Sequence, residues 1–401
     1  MHLDIANIFD RVDSEKIYRH VLELEGTRHP IDTPQRLSDA ADYILSEFEQ
    51  YGLAVNEQKF KLEGFEDTFR NIEGVIKNGN DPELLIVSHY DTQADCPGAN
   101  DNGSAVAVTL EAARILAEEK GVHNIRFVSF TLEEMNPAYV LKARKIAQSL
   151  GLTDEHNRYT SLRTHKVMKQ FLKLQAEGRA AGKDIAEAFA EARSQIEHQM
   201  SELEVKYARE IEDMYGEITT TSRPSKTLSM GSSLWVEDAF RNKKEVLGVL
   251  CLETIGYTSD REHSQAFPEG MYPEMFQTYN VKDPTIGNFL AIIGDANSGK
   301  LLQSFCTQCK LDSVNLPHAC LQVPLRYEEI APIAYDLLRS DHAPFWREGI
   351  PALLLTDTAN FRYPYYHTQA DTIDKLDFDF ITKVCKATIA AAIDLTTNLF
   401  R

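Results

Sequence analysis

The sequence predicts an α/β fold on a largely parallel sheet, interrupted once by a long helical segment. Three observations carry that reading. Apolar, β-rich runs bounded by turn residues, at Leu84 to Val87, Asn124 to Thr131, Val246 to Gly256 and Pro351 to Asp357, have the length of strands buried on both faces. A helical pattern, Ala105 to Glu119, lies between the first two, and strand, helix, strand at this length forms a unit whose strands run parallel. From about 136 to 229 the texture changes to Lys, Glu, Arg, Gln and Ala with few Gly or Pro, as in exposed helices.

In chain order, Ser14 to Glu25 and Thr33 to Tyr51 carry apolar residues at helical spacing, the second with Ala40, Ala41, Ile44, Leu45 and Phe48 on one face. AVNEQKFKL alternates like an exposed strand, and FRNIEGVIKNG reads as another. Within the helical segment Ile185, Phe189, Ala192, Ile196, Met200, Leu203, Tyr207, Ile211 and Met214 recur at spacings of four and three. The pattern predicts one long amphipathic helix, paired with Leu162 to Ala180 across the Gly178 to Lys183 turn as a coiled-coil-like hairpin. After MGSSLWVEDAF the α/β texture resumes with FLAIIGD, a helix from Ser298 to Lys310, a strand near Leu316 to Val323, and a last helix from Phe380 to Phe400. The expected organisation is one domain from 1–135 and 230–401, with 136–229 inserted.

A formal net charge of -19 over 401 residues argues against nucleic acid and anionic membranes as partners. No apolar run reaches membrane-spanning length, and MHLDIANIFDRVDSEK lacks the basic and apolar regions of a leader, so a cytoplasmic protein is expected. The six scattered cysteines fit reduced thiols better than a disulfide framework.

Chemistry concentrates at strand ends. His89 and Asp91 stand two apart after the Leu84 strand, so in an extended chain both point to one side, one as a metal ligand and the other as its support. Asp101 follows in GANDNGS, where glycines permit a tight, close-approaching backbone and a carboxylate can offer oxygens to two cations. Taken alone, HYD could be a plain strand end and GANDNGS a polar turn. Glu133 and Glu134 close the next strand, Glu253 ends another, and His367 lies in YYHTQADTIDKLD. Two histidines and several carboxylates without thiolate suit zinc. Of the adjacent glutamates one can bind metal while the other, here Glu133, stays free as a base. Two further patterns are weighed and set aside. GDANSGK has phosphate-loop spacing but places Leu301 where Ser or Thr would bind magnesium. Cys306, Cys309, His318 and Cys320 could be drawn as a zinc site, yet helix and strand patterns there favour buried thiols.

The motifs HYD, GANDNGSA, FTLEE, LCLETIG, SDHAPFWREGIPALLL and YYHTQADTIDKLD, in this order, resemble the co-catalytic zinc aminopeptidase family, whose relatives include glutaminyl cyclases, glutamate carboxypeptidase and the transferrin receptor. The resemblance implies a three-layer zinc-exopeptidase-like domain with a mixed, mostly parallel sheet. It implies two zinc ions, one on His89, Asp101 and Glu253 and the other on Asp101, Glu134 and His367, with Asp101 bridging. Asp91 would orient His89, Glu133 would be the general base, and Asp341 and His342 would stand beside the site to position ligands or substrate. The family usually has Asp where Glu253 stands, which leaves that site open to another divalent metal, and its Gly-Ser pair appears here as Gly231-Ser232, only after the helical segment.

The expected reaction is removal of an N-terminal residue from a peptide substrate. Glutaminyl cyclase is the enzymatic alternative, although Tyr366 stands where its Trp would precede the last His. A carboxypeptidase or amidohydrolase would need a cationic clamp, with Arg326 or Arg362 as candidates, and a non-catalytic binding protein would be expected to lose ligands. The helical segment is expected to act either as a lid admitting short peptides or as an arm for homo-oligomerisation.

Overall fold

The computed structural model describes residues 5–77, 82–119, 121–122, 124–180, 183–219 and 221–398. Its centre is a nine-stranded sheet in the order β1-β2-β4-β3-β5-β9-β7-β8-β6. The strands are β1 (Ala54–Phe60), β2 (Phe69–Ile76), β3 (Glu83–His89), β4 (Ile125–Phe130), β5 (Val246–Glu253), β6 (Gln277–Tyr279), β7 (Leu290–Gly294), β8 (His318–Gln322) and β9 (Ala352–Thr356). Neighbours β4 and β3, β3 and β5, β5 and β9, and β7 and β8 pair in parallel. The other neighbours, β1 with β2, β2 with β4, β9 with β7 and β8 with β6, pair antiparallel. The sheet is therefore mixed, with parallel pairing at its centre, and the C-terminal ends of β4, β3, β5 and β9 share one edge.

Strand periodicity divides the interior into two cores. Leu84 and Ile86 of β3 face a core shared with the helices Ser14–Leu24, Pro34–Gln50, Ala105–Ala117 and Phe378–Asn398, while Leu85 and Val87 face a second core with Trp235, Phe345 and Trp346. Both faces are covered, which is why Leu84 to Val87 of β3 reads as an unbroken apolar run. The three-residue β6 carries too little pattern to be seen in the sequence. Among the described residues no helix is long and apolar enough to cross a membrane.

The helical segment departs from the expected hairpin. Ile185 to Met214 is two helices, Ile185–Ile196 and Glu202–Met214, parted by a turn at Glu197–Gln199. Ser201 caps the second, taking the Glu204 N–H at 3.3 Å while the Glu204 carboxylate accepts the Ser201 N–H at 2.7 Å. This reciprocal capping box starts a new helix inside an unbroken apolar period, so periodicity alone runs the two together. With Leu162–Ala180 and Pro137–Ser149 they enclose a core of their own around Phe171, Phe189 and Ile211.

The two ends of this segment meet. Asn136 N–H donates to the Thr227 carbonyl at 2.8 Å, and the N–H groups of Ser229, Met230 and Gly231 donate to the carbonyls of Glu133, Leu132 and Thr131 at 2.7, 2.9 and 3.1 Å. Gly231-Ser232 thus lies beside the Glu pair although almost a hundred residues separate them in the chain. A Cβ at Gly231 would collide with the Thr131 carbonyl and the Asn71 side-chain oxygen. Gly231→Ala is expected to destabilise the fold by about 1–3 kcal/mol, read as a lowered midpoint in denaturant titration; an unchanged midpoint would show that this joint yields freely.

Candidate active site

Four parallel strands and two loops bring the chemistry together at the shared sheet edge, where open α/β sheets place their sites. His89 is the last residue of β3, Glu133 and Glu134 follow β4, and Glu253 ends β5. Asp101 sits on the loop between β3 and the helix Ala105–Ala117, and His367 on the loop after β9. His89, Asp101, Glu133 and Glu134 are buried while Glu253 and His367 are partly exposed, and two groups of three converge: His89, Asp101 and Glu253, and Asp101, Glu134 and His367, each with its ligand atoms within 4.8 Å of one another. Asp101 belongs to both. His89 Nε2 lies 3.4 Å from Asp101 Oδ1 and 3.4 Å from Glu253 Oε2, and His367 Nε2 lies 3.1 Å from both Asp101 Oδ2 and Glu134 Oε2. The longer Glu253 side chain reaches the same point that an Asp would be expected to serve, and one of its oxygens is steadied by the Ser340 hydroxyl at 2.7 Å.

Asp91 does more than face His89, whose Nδ1 is 3.5 Å from it. Its two oxygens accept the N–H groups of Glu133 at 3.0 Å and Glu134 at 3.1 Å, so the buried carboxylate that faces the imidazole also fixes the backbone of the Glu pair. Glu133 itself belongs to neither ligand group. Its Oε1 is 3.4 Å from the Ser229 hydroxyl, and Oε2 is 3.8 Å from His89 Nε2.

The loop carrying Asp101 is held by residues no motif announces. Asp371 accepts the N–H groups of Asn100 at 2.9 Å and Asp101 at 3.1 Å and the Tyr363 hydroxyl at 2.8 Å. Asn100 and Asn102 take the Gly256 and Thr254 N–H groups at 2.8 and 2.9 Å, tying the loop to the end of β5. Arg28 donates to the Pro97 and Gly98 carbonyls at 3.0 and 3.1 Å from the other side. Gly98 has φ +64, and a Cβ there would meet the Thr92 side chain and the Asp101 carbonyl, so the turn before Asp101 requires glycine. The only signal available in the sequence was the density of Asn, Asp and Gly, which marks a turn without naming its partners.

The electrostatics call for cations. Asp91, Asp101, Glu133, Glu134, Glu253 and Asp341 crowd around the imidazoles of His89 and His367, more acids than these two rings can balance. Burial works against a charged His89, yet Glu253 and Glu133 hold its pKa well above the ordinary value. For His367 burial is likewise outweighed, and Glu134 and Asp101 push it up to about 10. Burial, with the charges of Glu253, Asp341 and Glu134, keeps the Glu133 carboxyl well above the usual range despite His89. Asp341 is pushed up to about 7, first by burial, and accepts the Ser232 hydroxyl at 2.6 Å. Both His89 ring nitrogens, both Asp101 oxygens, Glu134 Oε1 and His367 Nε2 are buried without a hydrogen-bond partner among the described residues. Buried polar atoms are normally satisfied, and orphans of nitrogen and carboxylate type converging on two points are the donor set of zinc. The residues fit that metal.

Other expectations fall away from this centre. His342 Nε2 lies 2.7 Å from the Leu337 carbonyl and its ring meets Trp346 edge-on, so it packs in the second core while its neighbour Asp341 faces the site. Arg326 is exposed at a helix start, and Arg362 is buried against Phe289, donating to Gln265 at 2.8 Å and the Phe289 carbonyl at 2.7 Å. The six cysteines are free and buried. In GDANSGK, Asp295 accepts the Asn297 N–H at 3.1 Å and the Ser298 hydroxyl at 2.5 Å, which closes the loop on itself. Beside Glu253 and Tyr366 opens an apolar cavity whose walls include Phe267, Met271, Phe276, Phe289, Leu337 and Leu354.

The family model described as "Peptidase family M28" matches residues 71–224 and 293–392, together more than half of the chain. Among curated proteins, "Uncharacterized protein YfbL" of Escherichia coli is 24% identical over 388 residues, 94% of this chain and 86% of that protein. "Aminopeptidase YwaD" of Bacillus subtilis is 42% identical over 91 residues, 21% of this chain and 20% of its own. A "Probable zinc metalloprotease" of Pyricularia oryzae is 30% identical over 158 residues, 33% of this chain and 32% of that protein. Among solved structures, the LapA aminopeptidase of Legionella pneumophila superposes with TM-score 0.59 at 17% identity over 98% of this chain and 75% of its own. The glutaminyl cyclase of Porphyromonas gingivalis does so with TM-score 0.53 at 16% identity over 97% and 99%. At such identities the likeness speaks for the fold.

Proposed function

The chain belongs to peptidase family M28, and on that premise we propose that it is a zinc aminopeptidase that removes the first residue of a peptide. It would hold one zinc on His89, Asp101 and Glu253 and a second on Asp101, Glu134 and His367. The observation that carries this reading is the meeting of two three-residue ligand groups at Asp101, with Glu133 left outside both. When bound, the zinc pair polarises the scissile carbonyl and lowers the pKa of the attacking water.

The chain's own residues do the rest. Asp91, through the two N–H groups it accepts, sets the direction in which Glu133 leaves the backbone. Glu133 takes a proton from the attacking water and returns it to the amine nitrogen as the peptide bond breaks. The apolar cavity beside Glu253 would take the side chain of the first residue, favouring large apolar ones.

The test is a panel of aminoacyl arylamides, with and without chelator, accompanied by metal analysis. Cleavage of Leu and Phe derivatives, abolished by chelator and restored by zinc, is expected. Activity that survives complete metal removal would overturn the proposal, and cyclisation of an N-terminal Gln peptide without hydrolysis would move the enzyme to the cyclase reaction.

A further inference from the structure

The helical segment sends one cation toward the cleft that the reaction above leaves unused. Arg223 is 4% exposed, and its guanidinium lies 4.3 Å from the centre of the Tyr335 ring. Its Nε has no hydrogen-bond partner among the described residues. Asp336, the acid whose charge reaches it, is engaged by Arg339 at 3.1 Å. Burial accordingly lowers the Arg223 pKa from the ordinary arginine value. A buried guanidinium is unfavourable unless an anion faces it. Here the fold supplies the cation without committing an anion to it.

Its position points at the reaction centre. Arg223 begins the last short helix of the segment, Arg223–Lys226, and three residues after it Ser229 presents its hydroxyl to Glu133 at 3.4 Å. Tyr335, under the guanidinium, lies close enough to Glu133 for that charge to help raise its hydroxyl pKa, although burial is the larger cause. Beyond Tyr335, Arg339 donates to the Tyr366 hydroxyl at 3.2 Å, and Tyr366 stacks on His367 with ring centres 3.7 Å apart. Arg223 is therefore joined to the site through Tyr335 and through the backbone that leads to Ser229, on the side of the proton-carrying Glu133.

We infer that Arg223 binds a free carboxylate on the part of the peptide that follows the cleaved bond, which makes short peptides the preferred substrates. The inference rests on the aminopeptidase reading. A planar guanidinium matches a carboxylate with paired hydrogen bonds, and such charged bonds are stronger than neutral ones. Two sources present that group near the second residue: the C-terminus of a dipeptide and an acidic side chain.

Three peptides separate them: Phe-Ala with a free C-terminus, Phe-Ala amide, and Phe-Asp amide, which keeps only the side-chain carboxylate. With the zinc-loaded enzyme, kcat/KM for Phe-Ala is expected to exceed that for its amide by on the order of tenfold or more. A higher value for Phe-Asp amide than for Phe-Ala amide would assign the acidic side chain as well. In Arg223→Gln the ratio of acid to amide should fall to within about threefold, and Arg223→Lys should keep part of it. The same ratios are to be measured as calorimetric affinities on zinc-loaded Glu133→Gln protein, which needs no turnover. A ratio near one in the parent for both carboxylate peptides, or a ratio unchanged in Arg223→Gln, overturns the inference while cleavage upholds the aminopeptidase reading. Affinity ratios that depend on Arg223, with no cleavage by the zinc-loaded parent, uphold carboxylate binding at Arg223 and overturn the reaction. If Arg223→Gln fails to fold, the parent and Arg223→Lys ratios decide.

Discussion

Glu133→Gln is expected to retain its metal and its fold and to lose hydrolysis by a factor of about 10² to 10⁴. The amide matches the carboxylate in size and cannot accept the proton of the attacking water. Asp91 grips the backbone N–H groups of Glu133 and Glu134, not their side chains, so the exchange leaves that scaffold in place. Neither ligand group contains Glu133, so zinc content should equal that of the parent. The metal-free variant should also be more stable than the metal-free parent at neutral pH. The Glu133 carboxyl is held well above its ordinary value, first by burial, so the folded state favours its protonated form, and ionisation costs stability as pH rises past the unfolded value. Glutamine does not ionise, and that loss disappears. Steady-state kinetics, metal analysis and thermal unfolding check all three outcomes. Turnover within a few-fold of the parent would remove Glu133 from the role of base.

Asp101→Asn should be at least as damaging by a different route. Asp101 is the one side chain common to both ligand groups, with Oδ1 toward His89 and Oδ2 toward His367. An amide presents one oxygen and one NH₂ group, so it can serve a cation on only one side and turns a donor toward the other. Zinc content is expected to fall from two per chain to one or fewer, with activity lost to an extent comparable with chelation. A variant that still holds two zinc ions would refute the bridging role. Together the two substitutions separate proton transfer from metal binding: one loses turnover at full metal content, and the other loses the metal itself.

His89, Glu133, Glu134 and Glu253 were legible because each stands at or just past a strand end, and Asp101 because it sits in a turn rich in glycine and acids, whereas His367 was legible only as part of YYHTQADTIDKLD. An apolar run that stops at His89 or at Glu133 marks a sheet edge whatever surrounds it. Less visible was how these residues are held. Asp371 lies 270 positions from the Asp101 N–H it accepts, and nothing local distinguishes it from Asp374, whose side chain takes the Thr372 hydroxyl. His342 and Asp341 are adjacent in the sequence and diverge in space, since one turns into the core and the other toward the site. The break at Glu197–Gln199 escaped because apolar period and capping carry separate information, and the Ser201 to Glu204 box was there to be read. Arg223 could not be singled out among the basic residues of a solvated segment, because its meaning comes from what does not face it.

The backbone ladder joining residues 131–133 to 229–231 also changes the cost of carrying the helical segment. Closing a loop costs free energy only logarithmically in its length, about 0.6 kcal/mol for each doubling. Replacing everything between Asn136 and Thr227 by a tight turn would therefore alter closure by about 3 kcal/mol. For the sheet, the two ends of the segment meet as the ends of a hairpin turn do, and the separate core around Phe171, Phe189 and Ile211 offsets the cost of its length. The same ladder ties the end of the helical segment to the backbone carbonyl of Glu133, so the segment is anchored at the root of the residue proposed as the general base.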